Sequence, residues 1–154
     1  MRKLVLIAAL AAVVLTPAAQ AGRLTIVVTS VSVSAKPTDV APKGTSKGDT
    51  IEYRDRLLNA KKQFGRANGA VVGSDRGTMT FTSAHTATFS GVAVLPGGTI
   101  QLRGKVVALG NSLAIPVSGG TGRFANAKGY VVVGPGDKRS LNTYTLSIPE
   151  VQVA

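Results

Sequence analysis

Beyond residue 21, apolar side chains recur at every second position in run after run, and no long segment repeats at helical spacing. Side chains of a strand alternate between faces, so such runs bury one face and wet the other. Thr50 to Leu58 is the clearest: Ile51, Tyr53, Asp55 and Leu57 share one face, and Glu52, Arg54 and Arg56 share the other. Leu24 to Ser34, Val71 to Thr82, Ala87 to Leu95, Thr99 to Leu109, Leu113 to Val117, Phe124 to Val133 and Leu141 to Val153 read as the other strands. In the third run Val71, Gly73, Asp75, Gly77, Met79 and Phe81 fall on one side; in Thr99 to Leu109, Ile100, Leu102, Val106 and Ala108 oppose Gln101, Arg103 and Lys105. Lys36 to Lys47 holds Pro37, Pro42 and Gly44 and reads as a loop, because proline lacks a ladder donor. Pro96-Gly97-Gly98, Gly110-Asn111 and Gly134-Pro135-Gly136-Asp137 mark turns. Short strands with short links predict an all-β fold, an eight-stranded antiparallel β-barrel. Gly73, Gly77, Gly91, Gly104 and Gly129 fit a tightly curved wall. A two-sheet sandwich without a lumen is the alternative.

The start of the chain reads differently. Arg2 and Lys3 precede the apolar run Leu4 to Leu15, Pro17 breaks it, and Ala19-Gln20-Ala21 offers a small-x-small cleavage pattern. The run is too short to span a bilayer comfortably. Residues 1–21 are therefore expected to be a cleaved signal peptide and 22–154 one domain, secreted to the periplasm or the cell exterior, with no transmembrane segment left. The chain has no cysteine, so no disulfide supports the fold. The formal charge is +11, or +9 without Arg2 and Lys3. So basic an exported protein favours acidic surfaces such as cell-wall polymers, anionic lipid or nucleic acid; the alternative is that the charge merely solvates the outer wall of a barrel. Lys61, Lys62 and Arg66 form the densest patch in the sequence. Tryptophan is absent and few aromatics interleave the charges, which argues against specific nucleic-acid binding.

Two carboxylates stand out. Alternation puts Asp55 and Asp75 on faces otherwise apolar, where an ionised carboxylate is costly and its pKa rises, so each is a candidate acid or base near neutral pH. A bulge that flips the register, or a capping role at a strand end, would instead make them structural. Tyr53 and Tyr144 fall on apolar faces, Tyr144 with Leu146 and Ile148. They are candidate ligand donors or simply packed core. His85 is the one histidine and lies by a turn; with no cysteine beside it, a zinc site is not expected. Gly119-Gly120-Thr121-Gly122 lacks the Lys and the helix of a phosphate loop. Nothing in the sequence asks for a cofactor or metal.

Four segments, in order, carry a family resemblance: Gly48-Asp49 with the strand to Leu57; Gly73-Ser74-Asp75-Arg76-Gly77-Thr78; Leu95-Pro96-Gly97-Gly98-Thr99-Ile100 with Gly104; and Gly119-Gly120-Thr121-Gly122-Arg123-Phe124-Ala125-Asn126-Ala127-Lys128-Gly129. They resemble the allene oxide cyclase-like and dirigent-like barrels, the last segment most specifically. The resemblance implies an eight-stranded barrel with a hydrophobic lumen, often trimeric. It implies a choice of chemistries: allene oxide cyclase closes a fatty-acid epoxide into a cyclopentenone, and dirigent proteins orient phenoxy radicals or quinone methides. Met79 stands where such cyclases commonly have cysteine, and joins Tyr53 and Tyr144 as an expected ligand-lining residue. Two readings stay open. One is a small-molecule-binding barrel, with or without cofactor-free cyclase or isomerase activity on an apolar ligand. The other is a non-enzymatic basic protein binding acidic envelope material.

Overall fold

The computed structural model describes residues 21–149. The expected signal peptide lies outside the described residues apart from Ala21, as does the end of the last expected strand. Nine strands follow in order: β1 (Ala21–Thr38), β2 (Thr50–Asn59), β3 (Val71–Ser83), β4 (Thr86–Leu95), β5 (Gly98–Lys105), β6 (Val107–Leu109), β7 (Ser112–Gly120), β8 (Lys128–Val133) and β9 (Arg139–Pro149). Each pairs antiparallel with its neighbours in the order β5-β4-β3-β2-β1-β9-β8-β7, and β5 pairs with β7 to close the ring. The result is an eight-stranded barrel, so the sandwich alternative falls. β6 is an extra strand paired with β7 alone. Closure removes the sheet edges that would otherwise invite further pairing.

Four details differ from the sequence reading, each for a local reason. The strand expected from Phe124 begins only at Lys128, because the chain first forms a 3₁₀ turn, Gly122–Phe124, that buries Phe124. β1 runs on through Pro37 to Thr38 although a loop was expected from Lys36. β9 pairs with β1 only as far as Val31, so beyond that point β1 has no strand on that side and a residue without an N–H is tolerated. Val71 is exposed and Val72 takes the inward place. Leu57 pairs with Gly73 and Leu58 with Val71, so Val72 is an extra residue that shifts the alternation by one. Ala108 is exposed as well, because the run from Thr99 breaks at Val106 and β6 leaves the ring.

The meander sends its connections to alternate ends. The β2–β3, β4–β5 and β7–β8 links close one end, and a 3₁₀ turn, Gly122–Phe124, inserts Phe124 there with no exposed surface. Ile26, Val28, Leu57, Ile100, Val117, Ala127 and Leu146 join it in one packed core. The Arg123 guanidinium stands 5.6 Å from the Phe124 ring centroid and 6.0 Å from that of Phe64, capping the plug from outside. Gly120 and Gly129 sit where this end is tightest. A Cβ on Gly120 would come within 2.3 Å of the Thr99 carbonyl oxygen, and one on Gly129, at φ +134°, within 2.0 Å of that of Thr145. Small residues in the Gly119–Gly129 segment thus let backbone meet backbone. At the other end lies the β1–β2 loop, which Asp49 ties down by accepting from the Val40 and Ser46 amides. Those two amide bonds hold the Asp49 carboxyl below its ordinary pKa.

Candidate functional site

Away from the plug, the lumen is hollow. Alternation along β2 turns Tyr53 and Asp55 inward, along β3 Asp75 and Met79, along β4 Phe89, and along β9 Asn142 and Tyr144. Together with Leu102, Leu113, Ile115, Val131 and Val133 they line a cavity of about 170 Å3. All five residues singled out from the sequence, Tyr53, Asp55, Asp75, Met79 and Tyr144, meet in this space. Its mouth lies at the β8–β9 loop, where Gly136 and Ser140 complete the lining. A smaller annex of about 110 Å3 continues past Asp55 to Ser30, Ser32 and Lys138. The Ser32 amide donates to the Lys138 carbonyl at 2.9 Å and pins that loop to β1.

The aromatic wall depends on glycine. Gly77 and Gly91 are register partners on β3 and β4. A Cβ on either would approach the Phe89 ring to 2.8 Å. Without side chains there, the Phe89 ring lies along the wall and meets Tyr53, with centroids 5.7 Å apart and planes tilted by 36°.

Asp55 and Asp75 are register partners on β2 and β3, so two carboxyl groups stand side by side on the inner face. Their surroundings differ. Asp55 is half-buried and accepts from Ser30 Oγ at 2.7 Å. Burial pushes its pKa up, and hydrogen bonds from Ser30 and Ser32 pull against that rise. Asp75 is 5% exposed, and its Oδ1 has no hydrogen-bond partner. Burial, then the neighbouring charge of Asp55, pushes its pKa up to about 7, against a lesser pull from a backbone amide. The pair therefore loses its first proton mainly at Asp55 and keeps the second on Asp75 up to neutral pH. Tyr144 is fully buried, and its hydroxyl too has no partner. Burial and the two aspartates raise the pKa of Tyr53 and of Tyr144, so both phenols stay protonated and act as neutral hydroxyls that can donate a hydrogen bond.

Ser30 and Asn142 belong to the site and were not singled out from sequence. The signal for both was alternation: Ser30 follows Ile26 and Val28 on β1, and Asn142 precedes Tyr144 and Leu146 on β9. Asn142 is buried and its Oδ1 accepts from Ser140 Oγ at 3.0 Å. His85 lies exposed in the β3–β4 turn, outside the cavity lining. Among the described residues no three His, Cys, Asp or Glu side chains gather as a metal-binding group, and no helix is long and apolar enough to cross a membrane.

The sequence pattern of the family described as Dirigent-like protein matches residues 24–153. Several solved structures share the fold. A pyocyanin demethylase is 22% identical with a TM-score of 0.69, the match covering 80% of this chain and 99% of that one. A pterocarpan synthase dirigent protein is 16% identical with a TM-score of 0.60, covering 86% and 90%. A Diels–Alderase from Streptomyces koyangensis is 21% identical with a TM-score of 0.62, covering 82% and 64%. Likeness at these identities is likeness of fold. No curated protein matches the chain by sequence.

Proposed function

The chain belongs to the dirigent-like protein family, and from that premise we propose that its lumen receives a small, largely apolar molecule and promotes cyclisation or coupling by holding a reactive conformer and moving one proton. One observation carries this reading: Asp75 and Tyr144 each bury a polar atom without a partner beside the same apolar cavity. Buried polar groups are nearly always hydrogen-bonded, because an unmade bond costs about 1–3 kcal/mol. Two such groups together support a site there for a ligand's oxygen or nitrogen. Asp75, protonated up to about pH 7, is the proton donor or acceptor. Asp55 keeps the negative charge and tunes Asp75. Tyr53 and Tyr144 orient the ligand by donating, and Met79 and Phe89 press on its apolar body. The rate gain comes from orientation and exclusion of water. Residues 1–21 serve as an export leader, so the reaction takes place outside the cytoplasm.

Native mass spectrometry of protein purified from its own host tests the first half. A bound small molecule that is lost from a Phe89→Trp variant, where the larger ring fills the cavity, supports the lumen. The second half rests on turnover of that molecule: Asp75→Asn should bind it and lose about a hundredfold or more in rate, the usual scale of general acid–base catalysis. Full turnover in both Asp55→Asn and Asp75→Asn would refute the proton-transfer role.

A further inference from the structure

The alternation that turns Asp55 and Asp75 inward turns arginines outward. Arg54 and Arg76 are register partners across β2 and β3. Arg56 is the next outward residue of β2, and Arg103 on β5 pairs with Ser90 of β4. All four are exposed, as is Lys36 at the β1 side. Like charges directly opposite on neighbouring strands repel, so this arrangement costs stability unless an anion lies over it. Glu52 is the one carboxylate among these wall positions. Asp55 and Asp75 face the lumen, Asp49 is bound up with loop amides, Asp39 and Asp137 sit in connections, and Glu150 lies outside the described residues.

The same wall is indented. Two hollows of about 470 and 400 Å3 share Arg54, Arg76 and Val92, and a third of about 580 Å3 continues from Val92 to Arg103 and Ser118. Gly73, Gly77 and Gly91 contribute to the lining of these hollows, and a Cβ at any of them would strike the neighbouring strand at 3.0 Å or less. Ser34, Ser74, Thr78 and Ser90 set hydroxyls beside the arginines. The Lys61, Lys62 and Arg66 patch seen in the sequence is elsewhere, in the β2–β3 connection, where Arg66 Nη1 donates to the Val71 carbonyl at 2.8 Å.

We propose that this groove binds a linear acidic polysaccharide, with Arg54 and Arg76 together taking one carboxylate, Arg103 taking another further along the same chain, and the serine and threonine hydroxyls meeting the sugar hydroxyls. The guanidinium fork suits a carboxylate in a bidentate grip. Neighbouring strands lie about 4.8 Å apart and alternate residues along one strand about 6.8 Å, so Arg54, Arg56 and Arg76 form a close cluster, and Arg103, two strands beyond Arg76 and two residues out of its register, lies roughly 12 Å further along the groove. Three other occupants fit less well. Tyr53 is the one aromatic that lines these hollows, and its ring packs on Phe89 in the lumen, so the groove offers no outward platform on which bases of a single strand would stack. A flat anionic bilayer reaches only the rim of a concave surface. A second copy of this chain brings too few exposed carboxylates to neutralise these arginines.

Isothermal titration calorimetry of the protein with polygalacturonate at low salt tests this, with single-stranded DNA and phosphatidylglycerol vesicles compared at equal anion concentration. Arg54→Gln/Arg76→Gln/Arg103→Gln should bind polygalacturonate about tenfold or more weakly, the scale of losing charge-assisted hydrogen bonds. Lys43→Gln/Lys61→Gln/Lys62→Gln removes the same net charge from the connections and should change affinity by less than about twofold. Equal weakening of both variants reduces the effect to net charge and overturns the proposal. So does absence of binding by the parent protein, or tighter binding of DNA or vesicles. If the triple arginine variant does not fold, Arg54→Gln and Arg76→Gln are read singly: each should weaken binding about threefold, and unchanged affinity in both overturns the site. Lumen ligands play no part in any of these readouts.

Discussion

Replacing Asp75 with asparagine should make the protein more stable, and by an amount that grows with pH. Asparagine keeps the shape of the carboxyl and cannot ionise. In the folded chain the Asp75 pKa is raised from its ordinary 3.8 to about 7. Between those two values the folded state holds a proton that the unfolded chain has released, so stability falls as pH rises. The whole contribution is present below pH 3.8 and is lost by the time pH passes about 7. A change of that size corresponds to roughly 4 kcal/mol. Asp75 is only 5% exposed, so solvent screening removes little of it. Urea unfolding of parent and Asp75→Asn should therefore give nearly equal free energies at about pH 4, a gap opening through pH 5 and 6, and a plateau near 4 kcal/mol in favour of the variant above about pH 7.5. Taking the difference cancels every other group that titrates alike in both proteins. A gap that stays flat across this range, or one that favours the parent at high pH, would show that Asp75 is not held protonated by its cavity.

Two further outcomes are expected from the geometry. Gly129→Ala should cost more than about 3 kcal/mol or prevent folding, since its Cβ would fall 2.0 Å from the Thr145 carbonyl oxygen, whereas Gly69→Ala, with open space around it, should cost only the 1–2 kcal/mol of a left-handed backbone; urea midpoints compare them. Tyr144→Phe should leave the ligand-free protein as stable as before or about 1 kcal/mol more so, because it deletes a buried hydroxyl that has no partner, while ligand affinity measured by calorimetry falls about tenfold; a clear loss of stability would make Tyr144 ordinary core.

Alternation made much of this molecule legible before any coordinates. It put Tyr53 and Asp55 on one face of β2 and Tyr144 with Leu146 on one face of β9, and turn residues marked most strand ends. What it missed were features set by neighbours. Val72 is an extra residue only because of how β3 pairs with β2. Pro37 is acceptable in a strand only because β9 stops short beside it. That Asp55 and Asp75 stand side by side, and Arg54 and Arg76 likewise, follows from the β2–β3 register, which no single strand encodes. Ser30 as the Asp55 donor needs the β1–β2 pairing as well. The hollow itself is a property of the closed ring: each inward side chain is legible singly, and the space left between them is not.

The two ends of the barrel also explain each other. One end is packed as tightly as backbone allows, with Phe124, Leu57, Ile100 and Leu146 shielded from water and glycines at the closest approaches. The other keeps a buried carboxyl and a buried phenol unsatisfied at the edge of a cavity. Leucine or valine at positions 75 and 144 would fill that space and raise stability, as inward positions elsewhere in the ring do. The stability forgone there is tolerable because the plugged end, which needs no cavity, holds the ring closed. The difference between the two aspartates then acquires a chemical sense. Ser30 and Ser32 favour the ionised form of Asp55 alone, so the charge settles on one carboxyl and the proton on the other. A symmetric pair would share both, and neither would offer the lumen a defined acid.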